Sequence, residues 1–302
     1  MLVPVAARTR RTPATTARWS GSLRTSDRSR VNAAFWSEYA PGLSTPSGYT
    51  GEDERCVPGT ISPTAREATL RALNFVRSLG GLAPVTFSAA LDQGAQKAAL
   101  IMSANDRLDH SPSRSFKCWT SEGAAAAGRS NLSLSHPWLR AGAGVDLGME
   151  DDGAGNEVVG HRRWLMNPFS TAMGNGATDN ANAITVVGPT SSSRPNPAWV
   201  AWPTAGYFPD ALEPKGRWSL SAGDPATDFR RARVQVTRNG ERVRVTKNPV
   251  HDGYAQPTLV WEMPDSIARS GTFEVVVSRI RRSGFKKRFA SSYSVSMFTP
   301  TR

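Results

Sequence analysis

The hydrophobic period of this chain changes along its length, and this change constrains the fold more than any other feature. Between residues 62 and 105, apolar side chains recur every three or four positions, which is typical of amphipathic helices. Beyond the Pro- and Gly-rich segment 202–209 they alternate with polar ones, which is typical of half-buried strands. We therefore predict an α+β protein with a helix-rich first part and a β-rich second part.

Helix signals are clearest near the start of the first part. Thr64 and Glu67 form a capping box, and the apolar stripe that follows predicts a helix over about 65–79, ended by a glycine pair. Ser88 predicts the start of a second helix, which ends near Asn105. The other elements predicted here are helices over 138–152 and 158–166 and strands over 183–187 and 198–202.

Strand signals in the second part are separated by turns. Asn239-Gly240 lies between alternating valines and is the strongest short signal for a β-hairpin. Further alternating runs occur at 259–261, 273–277 and 293–297. We predict a small β-sandwich with Arg and Lys on its solvated faces.

The positive charge is concentrated at the two ends of the chain. The net charge is +12, with net +6 in residues 1–30, −2 in 31–200 and +8 in 201–302. Because no helix-turn-helix, zinc-finger or RNP pattern accompanies this charge, we expect no nucleic-acid partner and favour an anionic polymer of the cell envelope. No apolar run reaches the ~18 residues that a membrane-spanning helix needs.

Three regions are predicted along the chain. Residues 1–50 are expected to form a basic, largely disordered tail, because the Thr-, Ser-, Ala- and Arg-rich stretch 8–30 offers too little apolar surface to fold. The helix-rich domain is assigned to 51–200 and the β-rich domain to 201–302. No signal peptide is visible, since the short apolar start precedes its arginines instead of following them.

The two cysteines, Cys56 and Cys118, lie 62 positions apart, without a CxxC motif. This spacing excludes a zinc finger and a thioredoxin motif. The residues alone leave two alternatives open, namely two buried thiols in a cytosolic protein and one structural disulfide in a secreted protein.

Of the four histidines, His110 and His161 lie in settings that favour chemistry. His110 lies in a turn after a helix, and His161 opens a short helix after an acidic run. Two imidazoles with one or two carboxylates would bind a divalent cation such as zinc, or share general acid and base catalysis, if the fold brings them together. The alternative is that each ring hydrogen-bonds a local carbonyl at the edge of the core, the role assigned to His136 and His251.

Several familiar signatures are absent from the sequence. It contains no GxSxG, SxxK or HExxH motif, which argues against the common serine and zinc hydrolases. The glycine-rich segment 142–148 lacks the spacing of a dinucleotide-binding loop, and 150–153 lacks the spacing of an EF-hand.

Several segments together resemble a known family. They are NFVRSLGG at 74–81, LDHSP at 108–112, GHRRWLMNP at 160–168 and MGNG at 173–176. These segments are similar to bacterial members of the CAP superfamily (cysteine-rich secretory, antigen 5 and pathogenesis-related proteins), whose domain is also called SCP. The resemblance covers about 62–190 and implies an α-β-α sandwich, and the β-rich end resembles the Ig-like extension of some bacterial members.

The resemblance also implies a central cavity lined by two histidines and two acids, which holds zinc in some members. His110 and His161 match the two histidines and would be the metal ligands, and Glu122 matches the first acid. This sequence departs from the family by lacking the usual Trp-x-x-Glu and by having Ser-Glu-Gly in place of Gly-Glu-Asn. The second acid is sought among Glu150, Asp151 and Asp152.

Because family members are mostly secreted, the resemblance implies a Cys56–Cys118 disulfide and an extracellular or cell-envelope location. The function it favours is non-catalytic binding of a small apolar, lipid-like or peptide ligand in the cavity. One alternative is a metal-dependent hydrolase or protease with Glu122 as the base. The other is a structural or adhesion module.

Overall fold

Helices dominate the first part of the chain and strands the second part, as the hydrophobic period predicts. The computed structural model describes residues 23–267 and 270–302. Its α-helices are α1 (Arg28–Ala34), α2 (Ala40–Ser44), α3 (Pro63–Leu79), α4 (Ala89–Ala104), α5 (Ser121–Ala127), α6 (Ala143–Glu150) and α7 (Gly160–Leu165). A π-helical turn at Phe35–Tyr39 joins α1 to α2, and a 3₁₀ turn covers Asp210–Leu212.

Strands of the first part are β1 (Thr86–Phe87), β2 (Ser130–Leu134), β3 (Ala172–Ala177) and β4 (Ala181–Thr185). Strands of the second part are β5 (Trp199–Trp202), β6 (Gly206–Pro209), β7 (Arg217–Ala222), β8 (Thr227–Asp228), β9 (Arg233–Arg238), β10 (Glu241–Val243), β11 (Thr246–Lys247), β12 (Thr258–Glu262), β13 (Gly271–Arg282) and β14 (Phe289–Phe298).

The two long helices match the sequence prediction closely. The first one begins two residues earlier than predicted, because the Ser62 side chain, not Thr64, caps it by accepting a hydrogen bond from the Ala65 backbone N–H at 3.1 Å. Pro63 occupies the first turn, where its missing N–H is tolerated. The second helix follows Ser88 and ends before Asn105.

The first part is a three-layer α-β-α sandwich. Its sheet has the order β1-β3-β4-β2, and only the β1–β3 pair is parallel. Ala183 of β4 packs with the alanines of α4 and α5, whereas Ile184 faces the opposite layer, which contains Val145 of α6. This alternation places one helical layer on each face of the sheet.

Small residues allow β3 to approach α4 closely. A Cβ added to Gly176 would lie 2.1 Å from the Gln96 backbone nitrogen, and one added to Gly174 would lie 2.5 Å from the Leu91 carbonyl carbon. Only glycine fits at these two positions, because the neighbouring atoms belong to the helix backbone.

The second part contains two further sheets. One has the order β10-β9-β13-β14-β6, with β8 paired to β13, and the other has the order β11-β12-β7-β5. Trp218 of β7 and Phe273 of β13 lie with ring centroids 5.2 Å apart, so the two sheets share a core. The predicted hairpin at Asn239-Gly240 is confirmed. An Ig-like topology stays a prediction.

The predicted disordered tail is wrong for its described portion. Residues 1–22 lie outside the described residues, but residues from 28 to 44 form helical turns that bury Phe35 and Tyr39. The Phe35 ring packs on Phe75 of α3 with centroids 6.2 Å apart. The prediction extended the polar composition of 8–30 to the residues that follow it. An apolar segment begins at Val31, and it is large enough to pack on the core.

The division between the two parts falls slightly before the predicted boundary at 200–201. β5 pairs antiparallel with β7, so Trp199–Trp202 belongs to the C-terminal sheets. The local sequence of β5 does not determine which strand it pairs with, because the partner lies in a distant part of the chain. No helix among the described residues is long and apolar enough to cross a membrane.

Candidate functional site

The segment Gly160–Pro168 is held in place by buried arginines that donate to backbone carbonyls. Arg162 is only 2% exposed, and its guanidinium donates to the carbonyls of Met149 at 2.7 Å, Glu150 at 2.8 Å and Arg217 at 2.9 Å. Burial lowers the pKa of Arg162 to about 10, so the group stays charged at neutral pH. The side chain therefore joins α6, α7 and β7.

Two more arginines fix the other sides of α7. Arg163 donates to the carbonyls of Gln256 at 2.6 Å and Tyr254 at 3.2 Å, and its guanidinium lies 5.1 Å from the centroid of the Tyr254 ring. Arg77 of α3 donates to the carbonyls of Leu165 at 2.7 Å and Asn167 at 3.0 Å. The bonds of Arg77 satisfy carbonyls that the end of the short helix α7 leaves unpaired.

His161 is oriented by a buried carboxylate. Its Nδ1 donates to Oδ1 of Asp151 at 2.7 Å, and the Arg162 backbone N–H donates to the other oxygen at 3.2 Å. Asp151 caps the end of α6 with a left-handed φ of 53°, which turns its fully buried side chain toward α7. Burial opposes the charged imidazolium, but the hydrogen bond and charge of Asp151 outweigh it, so the pKa of His161 is raised above 6.5.

His110 lies in the long connection between α4 and α5. Its Nδ1 lies 3.0 Å from the Ala127 carbonyl oxygen, which can only accept, so Nδ1 carries the hydrogen. The same connection is anchored by the Cys56–Cys118 disulfide, with Cα atoms 5.0 Å apart, which confirms that pairing. In both histidines the hydrogen-bond network therefore assigns the proton to Nδ1 and leaves the Nε2 lone pair for another partner.

Both rings line one cavity of ≈ 370 Å³. Trp164 of α7 lies on its wall, and Tyr254 enters from the loop before β12 in the C-terminal part. A Cβ added to Gly160 would lie 2.7 Å from Cε1 of Tyr254, so the absence of a side chain there admits the ring. The remaining lining residues are Gly128, Arg129, Ser130, Asn131, Gly155, Asn156, Val158, Val186 and Val187.

The predicted acids divide into one that reaches a histidine and others that do not. Asp151 contacts His161, although it stands behind the ring and not on the cavity wall. Glu122 is not among the lining residues, because its side chain, 49% exposed, pairs with Lys97 of α4. Glu150 and Asp152 both pair with Lys215 instead. The carboxylates of Glu122, Glu150 and Asp152 therefore pair with lysines outside the cavity and do not line it.

Sequence reasoning missed Tyr254 and gave Trp164 no role. Tyr254 lies in a polar loop of the second part, and no local pattern connects it to His161. Trp164 stands three residues after His161 on a helix, a spacing that places both side chains on one face, and this signal was available in the sequence.

The side chains around the two rings do not complete a zinc site. Each Nδ1 has the kind of acceptor that orients a zinc-bound histidine, and no described residue hydrogen-bonds Nε2 of His110 or His161. Structural zinc sites use four protein ligands and catalytic ones three. Within 23–267 and 270–302, no group of three or more His, Cys, Asp or Glu side chains is placed to hold a metal. The described residues therefore do not fit a resident zinc ion.

Comparisons with known proteins give one family match, over the first part of the chain. A solved structure of PcoC, a methionine rich copper resistance protein from Escherichia coli, is 14% identical, with 32% of this chain and 93% of that chain covered. The TM-score of this superposition is 0.25. No curated protein matches the chain. The model of the cysteine-rich secretory protein family, CAP, matches residues 70–188, the range that contains both His110 and His161. Residues 70–188 thus form a CAP domain of the cysteine-rich secretory protein family.

Proposed function

We propose that the CAP domain binds a small ligand, without catalysis, in the cavity that His110 and His161 share. The observation that carries this proposal is that both imidazole rings line the same cavity, and that the Nδ1 atom of each ring is fixed by a protein acceptor. Because the rings are oriented from behind, their Nε2 atoms are the groups presented to a ligand. Neutral rings would accept hydrogen bonds there, and a charged His161 would donate one.

The lining favours a ligand with both a polar and an apolar part. The imidazoles supply the polar contact, while Trp164 and Tyr254 supply aromatic surface and Val158 adds aliphatic surface. Trp164 also lines a neighbouring cavity of ≈ 450 Å³, whose other lining residues include those at 255–257. Because Trp164 lines both cavities, an extended molecule, such as a peptide or a lipid-like chain, could contact both and is the ligand class we propose.

We also propose an extracellular or cell-envelope location. The disulfide supports it, because such bonds persist in oxidising compartments and are rare in the cytosol. In this proposal the C-terminal sheets act as an Ig-like module, and basic side chains on the flanks of the chain attach the protein to an anionic envelope surface. An adhesion module with a vestigial cavity would share these features but would bind nothing between the two histidines.

The hydrolase alternative receives no support from the position of its proposed base. Glu122 pairs with Lys97 and does not line the cavity, so its carboxylate is not positioned to activate a water molecule there.

Selective NMR of the four histidines tests the binding proposal directly. With ¹³C at the imidazole Cε1, the protein gives one signal for each histidine, and only His110 and His161 belong to the cavity. Decanoate and an acetylated tripeptide amide serve as lipid-like and peptide probes. We expect at least one probe to shift both cavity signals along a saturating curve.

His136 provides the internal control, because its exposed ring pairs with Asp106 outside the cavity. Its signal should stay constant during the titration. The variants His110→Ala and Tyr254→Ala should each weaken binding about tenfold, since a hydrogen bond or a buried aromatic contact contributes about 1–2 kcal/mol. Probes that leave His110 and His161 unshifted, or that shift His136 equally, would contradict the proposed site.

A further inference from the structure

The connection between β13 and β14 carries an unusual concentration of positive charge. Residues 275–302 contain no Asp or Glu. Pairing of β13 with β9 stops at Ser278, so the end of this hairpin extends past β9 and, among the described strands, pairs with the short β8 alone. The basic residues of this end are Arg279, Arg281, Arg282, Lys286, Lys287 and Arg288.

An exposed aromatic ring stands beside three of these charges. Phe285 is 62% exposed in the turn and touches Phe289 on one side, with ring centroids 5.8 Å apart. Lys286, Lys287 and Arg288 are exposed, and none of them forms an ion pair or a hydrogen bond with another described residue. A large apolar ring therefore faces solvent next to three cations that lack a partner among the described residues.

The base of the hairpin is fixed, which distinguishes it from a mobile polar loop. The guanidinium of Arg282 lies 4.4 Å from the centroid of Phe289 and 5.4 Å from that of Trp199. The same side chain pairs with Asp224 at 3.7 Å. The tip formed by residues 285–288 is therefore presented on a rigid stem.

We propose that this tip docks on a bilayer that contains anionic phospholipids. Lys286, Lys287 and Arg288 would lie against the phosphate groups, and Phe285 would enter the interface between headgroups and acyl chains. An anionic polymer would be bound by the cations alone and would gain little from an exposed phenyl ring, so the ring favours the bilayer. The proposal specifies the envelope surface suggested above and does not depend on the ligand of the His110–His161 cavity.

Vesicle sedimentation of the full chain tests this docking. Vesicles of phosphatidylcholine with about 30% phosphatidylglycerol should bind the protein, and about 0.5 M sodium chloride should weaken that binding by screening. Each cation near such a surface contributes about fivefold to the partition coefficient, so the combined K286Q, K287Q and R288Q variant should lose about 100-fold. Phe285→Ala should lose about tenfold, and Phe285→Trp should keep the binding.

A charge-matched variant separates the tip from general electrostatic attraction. Arg231, Arg242 and Arg244 are exposed on other parts of the C-terminal region, and their combined replacement by Gln removes the same total charge. This control should lose less than about fivefold. Circular dichroism establishes that every variant is folded.

Three results would overturn the proposal. They are the absence of binding to the anionic vesicles, an equal loss in the tip and control variants, and full binding by Phe285→Ala. In the last case, equal binding of dextran sulfate by the wild type and Phe285→Ala would assign the charged tip to a polyanion. Because the cavity is tested separately by the histidine signals, failure here leaves the proposed ligand site standing.

Discussion

Replacement of Arg162 by Met removes the most connected side chain beneath the candidate site. Arg162 donates to three carbonyls, of Met149, Glu150 and Arg217, and also to the Ser219 hydroxyl at 3.1 Å. Met fills a similar volume but donates no hydrogen bond. A buried acceptor left without a partner costs about 1–3 kcal/mol, and three of them give an upper value of about 9 kcal/mol. Some carbonyls will recover a water molecule, so we expect a loss of about 3–5 kcal/mol, in the lower half of the range that three unpaired acceptors allow.

Urea unfolding followed by both tryptophan fluorescence and circular dichroism measures this loss. The two probes also reveal whether the CAP domain and the C-terminal sheets still unfold together, because Arg162 bonds to both. Arg55→Met is the matched control, since that guanidinium is exposed and pairs with Glu52 at the surface, a contact worth about 0–1 kcal/mol. A loss of less than about 1 kcal/mol in Arg162→Met, equal to the control, would refute the structural role assigned to this residue.

Three further predictions concern the disulfide, the His161 ring and the contact between β3 and α4. Cys56→Ser with Cys118→Ser should lower the free energy of unfolding by about 4 kcal/mol, because the unfolded chain gains the entropy of an open loop over a separation of 62 residues. Urea unfolding of the wild type and the variant without reductant measures this loss, and equal midpoints would contradict it. Asp151→Asn should lower the pKa of His161, because burial then acts against the charged ring without an opposing carboxylate, and a titration of the imidazole Cε1 signal measures this. In the wild type the raised pKa of His161 contributes stability that is fully present below pH 6.5 and is lost as the pH rises through the folded-state value. In Asp151→Asn the lowered pKa should reverse the sign of this contribution, so an unchanged profile would disprove the assignment. Gly176→Ala should lower the free energy of unfolding by at least about 2 kcal/mol, because the added Cβ would lie 2.1 Å from the backbone of α4. A melting temperature within error of the wild type would show that α4 moves to accommodate the methyl group.

Local sequence patterns determined the elements that depend on neighbours in the chain. The period of three to four residues predicted α3 and α4, and Asn239-Gly240 predicted its hairpin, because helix stripes and tight turns are set by residues within a few positions of one another. The motif that contains His161 also identified the family. These features need no knowledge of what packs against them.

Only the tertiary structure decided the contacts between distant parts of the chain. Val31 to Tyr39 fold because α3 offers an apolar face, and the composition of the preceding arginine-rich stretch could not show this. Asp151, and not Glu122, supports a histidine because the left-handed end of α6 turns it toward α7, while Lys97 takes Glu122. Tyr254 reaches the cavity from the loop before β12, in the second part of the chain. Each outcome depends on which surfaces meet after folding, and a one-dimensional pattern records the side chains available for such contacts but not the partners they find.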